Sequence, residues 1–286
     1  MIYDAVKAVL ATLDEQGNSD HADWSERVET NLTTLEDSYR ELRDAGRDLI
    51  DYSDLATQAA YVFRYVLGHA DFVYQFLSYA RTKTGEALFE ANEIWVTSIG
   101  AGPGSELLGL LQYLSEDNGE PKVAKIVYTV VDKEQNWQHV VESFVDQVDT
   151  KIEVELHFQT CDVSAAQLPA SVTLKNEDLV FMSFFISEVC ELPERNHVIN
   201  NLNTLLKTMS PDAFLIYNDS NAYSFYMFLN SLVNKATRFE QLIDHDTEYK
   251  IEAPYYDGIM DDYVEQFDYR PKLSSKAVTK LLRRTE

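Results

Sequence analysis

Residues 94–109 read IWVTSIGAGPGSELLG: an apolar run breaks into three alternate glycines, Gly100, Gly102 and Gly104, and then resumes with helical spacing. The chain has only 10 glycines in 286 residues, so three within five positions mark a backbone constraint. A strand that passes through glycines into a helix gathers backbone N–H groups at the positive end of the helix dipole. Small residues there let a ligand approach the main chain closely. A tight strand-to-helix turn also needs glycine with no ligand present, so spacing has to discriminate. A dinucleotide fingerprint would place glycine at 105, where Ser105 stands, and the Gly-Lys-Ser/Thr of a P-loop is absent.

Around this loop the pattern is β-rich runs alternating with helical segments. IWVTSI is followed by KIVYTVVD (125–132), KIEVELHF (151–158), DLVFMSFF (178–185) and AFLIYND (213–219). Five such runs separated by helices imply a parallel sheet covered on both faces. The spacing predicts intervening helices over 105–114, 133–148 and 194–208, and another in AYSFYMFLNSLVNK. Residues 1–90 show only helical periodicity and predict three to five helices, with a turn at 18–23 and an interruption at Gly46. No internal repeat is visible, nor a linker long enough to separate independent domains.

Composition narrows the function. With 24 Lys plus Arg against 48 Asp plus Glu, the formal net charge is −24, which repels phosphate backbones at long range. RNA is therefore disfavoured as a partner relative to a small molecule or a protein. The two cysteines, Cys161 and Cys190, fit reduced buried thiols, and without a Cys-x-x-Cys pair no metal site is expected. The N-terminus lacks signal-peptide character and no run reaches the apolar length of a membrane span. These features imply a cytoplasmic protein, with a nuclear location also open. The oligomeric state is not legible.

The stretch VTSIGAGPGSELLGLL resembles motif I of the class I, seven-stranded, Rossmann-like S-adenosylmethionine-dependent methyltransferases. The resemblance implies a doubly wound α/β fold, mostly parallel, with residues 1–90 as a helical cover and 91–286 as the cofactor-binding domain. Its cofactor is S-adenosyl-L-methionine and its product S-adenosyl-L-homocysteine. In that family the loop runs beneath the amino-acid part of the cofactor, which implies binding roles for Gly100, Ala101, Gly102, Gly104 and Glu106. Asp132, ending the second run, resembles the acid that holds both ribose hydroxyls; its other role is a helix N-cap. Lys133 follows it, where the family often has a hydrophobic residue. Asp162 and Val163 match the adenine-side pair, and Trp137 either stacks on adenine or fills the core. The fourth run resembles motif IV, which places Ser183, Phe184 and Phe185 beside the reactive methyl, although strand alternation makes at least one phenylalanine a core residue.

For chemistry, Glu188 is placed to orient or deprotonate an amine or hydroxyl, or else to cap the following helix. His245 is a candidate base, since an imidazole can exchange protons under physiological conditions, or a solvated residue of an acidic loop. Tyr61, Arg64, Tyr65 and His69 share one helical face, with Arg64 and Tyr65 candidates for the cofactor's carboxylate end. RFEQLI and EYKIEA are candidates for final antiparallel strands. LSSKAVTKLLRR, if helical, sets Lys272, Lys276 and Lys280 in a basic stripe that suits RNA or an acidic partner. The reading is thus a methyltransferase acting on an N or O acceptor of a small molecule or protein. The alternatives are an RNA methyltransferase and an inactive cofactor-binding sensor or scaffold.

Overall fold

Continuous apolar runs become interior strands, and an alternating run lies at the edge. In a computed structural model of the chain, which describes residues 1–42, 44, 50–85, 87–116, 122–236, 239–250 and 258–285, seven strands form one sheet in the order β3-β2-β1-β4-β5-β7-β6. Strands β1 (Glu93–Ile99), β2 (Lys125–Asp132), β4 (Leu179–Ser183) and β5 (Phe214–Ser220) are almost continuously buried, as expected for strands covered on both faces. Strand β3 (Glu153–Thr160) lies at one edge, where its residues alternate between exposed and half-buried. These five strands are parallel; β7 (Ser274–Arg284) runs antiparallel both to β5 and to β6 (Phe239–Lys250).

The two faces carry separate cores. Leu179 and Phe181 point to one, with the helices α1 (Ile2–Asp20), α2 (Trp24–Arg40), α3 (Leu55–Tyr61), α4 (Leu67–Thr84), α5 (Ser105–Ser115) and α6 (Gln138–Gln147). Val180 and Met182 point to the other, with α7 (Ile186–Val189), α8 (Arg195–Leu206) and α9 (Tyr223–Ala236). The last helix, α10 (Asp261–Phe267), adds Tyr263 and Phe267 to the first core. The chain winds outward from β1 through β2 to β3, then returns to β4 on β1's other side. The crevice between the carboxyl ends of β1 and β4 is therefore the topological switch point, where open α/β sheets hold ligands.

Several sequence expectations are corrected. SSKAVTKLLRR is strand β7 rather than a helix, because Ala277 through Leu282 are buried between β5 and β6. No basic stripe results: Lys280 is only 2% exposed, with its Nζ 3.0 Å from Asp244 Oδ2, and Arg283 pairs with Glu240. RFEQLI and EYKIEA belong to one strand, β6, insofar as they are described; 238 and 251–253 lie outside the described residues. Gly46 lies outside them too. Helix α1 absorbs 18–20 of the expected turn, and a 3-10 turn (Gln135–Trp137) precedes α6. Between α3 and α4 the chain makes a π turn, Val62–Val66.

Candidate functional site

The glycine loop is folded by its backbone angles. Gly100, Gly102 and Gly104 all have positive φ, +66°, +50° and +80°, a region that side chains with a Cβ rarely adopt. Space adds a second reason at Gly100, where a Cβ would lie 2.0 Å from Cδ2 of Phe185. Gly104 is the N-cap of α5, and its carbonyl accepts the N–H of Leu107 at 3.1 Å. The loop is tied sideways to the end of β2: Asp132 Oδ2 accepts the Gly102 N–H at 2.8 Å, and Oδ1 accepts that of Glu134 at 2.9 Å. Each oxygen retains acceptor capacity for a ligand hydroxyl. Burial pushes the Asp132 carboxyl up to about 6, against the pull of those two N–H donors.

A cavity of about 220 Å³ opens at this point. Its floor is the glycine loop, Asp132 and Lys133, and one wall is Cys161, Asp162, Val163 and Ser164. Asp162 Oδ1 accepts from the backbone and the hydroxyl of Ser164, at 2.8 and 2.6 Å. Asn201 of α8 fixes the same loop by donating to the Val163 and Ala165 carbonyls. Glu106, in the first turn of α5, also lines the cavity. It is 4% exposed, and its Oε2 has no hydrogen-bond partner among the described residues. Burial raises its carboxyl to about 8, with the Asp132 charge adding to the rise.

At the end of β4 the chain is strained. Phe184 has φ +52° and donates its N–H to Asn218 O at 2.7 Å. Its ring stacks on His69 of α4 at 3.8 Å between centroids and 8° between planes. Strained non-glycine residues cluster at functional sites, where surrounding structure holds them. His69 is half-buried, and desolvation pushes its pKa down to about 3, so the imidazole is neutral at physiological pH. Asp219 Oδ2 accepts the Ser187 N–H at 2.9 Å and anchors α7.

Glu188 on α7 faces a group of tyrosines from the N-terminal helices. Tyr39 donates to its Oε1 at 2.8 Å. The Tyr52 hydroxyl lies 2.8 Å from that of Tyr39 and 3.2 Å from the same carboxylate oxygen. Burial, reinforced by the Glu188 charge, holds Tyr39, Tyr52 and Tyr61 well above the usual phenol range, so all three remain hydroxyl donors. The rings of Tyr52, Tyr61 and Trp137 pack together at 5.6 to 5.7 Å between centroids, and all three line the cavity.

Of the residues singled out from sequence, the cavity is lined by Gly100, Ala101, Gly102, Glu106, Asp132, Lys133, Trp137, Asp162, Val163, Ser183, Phe184, Phe185 and Glu188. Gly104 shapes the turn behind them. Arg64, Tyr65 and His245 are not brought to it. Arg64 bonds the Arg270 carbonyl and lies over the Tyr269 ring, with Glu36 3.9 Å away. Tyr65 packs edge-on to Tyr39 at 4.9 Å. The physical reason is the π turn, whose wider i→i+5 repeat breaks the α-helical register assumed for 61–69. His245 sits on edge strand β6 opposite Thr279, stacked on Tyr79 at 4.8 Å, and does not line the cavity. Tyr52 was not singled out at all, while Tyr61 and His69 were noted only for their shared helical face. No local pattern marks Tyr52; the only sequence signal is a general one, 17 tyrosines with many before the first strand.

No family model and no curated protein matches the chain. Solved structures do. The N-methyltransferase NodS from Bradyrhizobium japonicum, in complex with S-adenosyl-L-homocysteine, is 10% identical over 87% of this chain and 99% of its own, with a TM-score of 0.46. An S-adenosylmethionine-dependent methyltransferase from Methanosarcina mazei is 13% identical over 69% of this chain and 95% of its own, with a TM-score of 0.45. The cyclase SpnF is 11% identical over 74% of this chain and 81% of its own, with a TM-score of 0.41. Likeness this distant carries no argument about what this chain does, and one of these proteins is named for a different reaction. Five parallel strands wound from a central switch point, closed by an antiparallel β7 inserted beside β5, give the chain the seven-stranded, Rossmann-like fold of the class I S-adenosylmethionine-dependent methyltransferases.

Proposed function

We infer that the protein is an S-adenosylmethionine-dependent methyltransferase acting on an N or O acceptor of a small molecule or protein. One observation carries this reading: the glycine loop, Asp132, the 161–164 wall and the Ser183–Phe185 turn, far apart in sequence, line one cavity at the switch point. The residues fit the cofactor's chemistry. Asp132 offers oxygens to the ribose hydroxyls, the 161–164 segment and Lys133 border the adenosine side, and the partnerless Oε2 of Glu106 suits the cofactor's ammonium. When bound, the cofactor supplies a methyl group activated on a sulfonium. The protein's part is to align acceptor, methyl and sulfur and to exclude water. Phe184 and His69 form an apolar, uncharged wall for that step, and Glu188 orients the acceptor or takes its proton.

Residues 1–90 act in this reading as a helical cover over the domain formed by 91–286, since Tyr52, Tyr61 and His69 close the cavity from that side. A cytoplasmic or nuclear setting accords with two buried free thiols, whose pKa values burial raises to about 11 and about 12. Among the described residues no helix is long and apolar enough to cross a membrane. The RNA alternative loses its supporting feature with the basic stripe. Incubation with methyl-labelled cofactor and separate metabolite, protein and RNA pools tests the reading. Label is expected in the metabolite or protein pool; label confined to RNA would reverse the substrate assignment, and none in any pool would favour a sensor.

A further inference from the structure

The acceptor side of the cavity carries a chemical signature of its own. The cavity as a whole is lined by five carboxyl groups, with Glu106, Asp132 and Asp162 on the cofactor side and Glu188 and Glu194 beyond them, against one ammonium, Lys133, and a neutral His69. Of these acids, Glu188 alone is held by tyrosine hydroxyls among the described residues, with Tyr39 at 2.8 Å and Tyr52 at 3.2 Å from the same oxygen. Charge-assisted bonds of this kind fix a carboxylate's position. The Tyr52 ring, whose hydroxyl meets Glu188, packs against those of Tyr61 and Trp137, and all three line the cavity. A fixed carboxylate among aromatic faces is the chemistry that recognises an organic cation, through charge and through the rings' negative quadrupoles. An anionic acceptor would meet repulsion from Glu188, and among the described residues lining the cavity the one cationic side chain, Lys133, borders the adenosine side. A neutral alcohol would gain nothing from the field.

We propose that the acceptor is a small organic amine that enters as an ammonium ion and is held by Glu188 and the Tyr52–Tyr61–Trp137 rings. The inference rests on the methyltransferase reading and names its substrate class. Glu188 accepts one proton from the ammonium and releases it to solvent past Glu194 at the cavity margin. The nitrogen lone pair thus freed forms a bond to the methyl carbon as the carbon–sulfur bond breaks, its electron pair staying on sulfur. The products are the N-methylated amine and S-adenosyl-L-homocysteine. The chain's net charge of −24 works in the same direction, since it raises the local concentration of cations.

Calorimetric titration of the protein saturated with S-adenosyl-L-homocysteine, using phenethylamine and butylamine against the matched 2-phenylethanol and butanol, tests the proposal. Each amine is expected to bind at least about tenfold more tightly than its alcohol. Glu188→Gln should abolish that preference while leaving the affinity for S-adenosyl-L-homocysteine within about twofold. Equal binding of amine and alcohol, binding of neither, or a preference that survives Glu188→Gln would overturn the amine assignment with the methyltransferase reading intact. Failure of the protein to bind S-adenosyl-L-homocysteine at all would overturn both.

Discussion

Asp132 holds the loop and, in the reading above, the ribose with the same carboxylate. Its two oxygens already accept the Gly102 and Glu134 N–H groups. Asp132→Ala therefore removes a ligand contact and loosens the loop that floors the cavity. Hydrogen bonds to a charged group contribute about 1.5–3 kcal/mol each, so affinity for S-adenosyl-L-homocysteine should fall at least about tenfold by calorimetry. Unchanged affinity would remove Asp132 from the site. Gly100→Ala combines a φ of +66° with a Cβ 2.0 Å from Phe185 Cδ2. Strain of this kind costs about 1–3 kcal/mol. A thermal midpoint equal to that of the wild type would show that the loop yields more easily than its contacts imply. The glycines and Asp132 were legible in sequence because their constraint is local: a positive φ, a strand end, a fixed spacing. Tyr39, Tyr52 and His69 were not, because what defines them is contact with Glu188 and Phe184 from other parts of the chain.

The N-terminal helices and the β4–α7 turn meet at the Glu188 hydroxyl cluster, which adds polar contacts to the apolar core that α1–α4 share with the sheet. Tyr39→Phe leaves the ring packed on Tyr65 while removing its donor to Glu188. The expected cost is about 1–2 kcal/mol, seen as faster backbone hydrogen exchange in α2 and α3 while β1 and β2 keep their protection. Exchange that rises equally everywhere would point to global destabilisation instead. Element by element, the strands most evident from sequence were those buried on both faces, whose apolar runs have little other use. β7 was misread because Lys272, Lys276 and Lys280 mimic a helical stripe. In the sheet, Lys280 instead reaches Asp244, Gln241 and Asn230 from an interior position. A buried lysine with three polar partners leaves no trace in a periodicity count. The π turn hid Arg64's direction for a similar reason, since one widened turn changes every later position on the helix face.

Across the whole molecule, buried acids bind protons more tightly in the fold than as free side chains. Burial raises Glu106 to about 8, Glu177 to about 7 and Asp219 to about 7. An acid with a raised folded pKa contributes stability that is lost as pH rises through that value, because the fold then binds more protons than the unfolded chain. His69 and His139 have lowered pKa values, so their opposite contribution is complete once pH exceeds the ordinary histidine range. The thermal midpoint of the free protein should therefore fall between about pH 6.5 and 8.5. Glu106→Gln should flatten that slope, and a midpoint that rises over the window would contradict the assigned protonation. A cationic ligand beside Glu106 favours its ionised form, which makes ligand affinity rise with pH across the same window. The central claim is cofactor binding at the switch point, and calorimetric titration of the protein with S-adenosylmethionine reads it directly. One saturable site with a Kd in the micromolar range, about −8 kcal/mol, is expected, and it should weaken at least tenfold in Asp132→Ala. The absence of binding heat at high micromolar cofactor at two temperatures would contradict it.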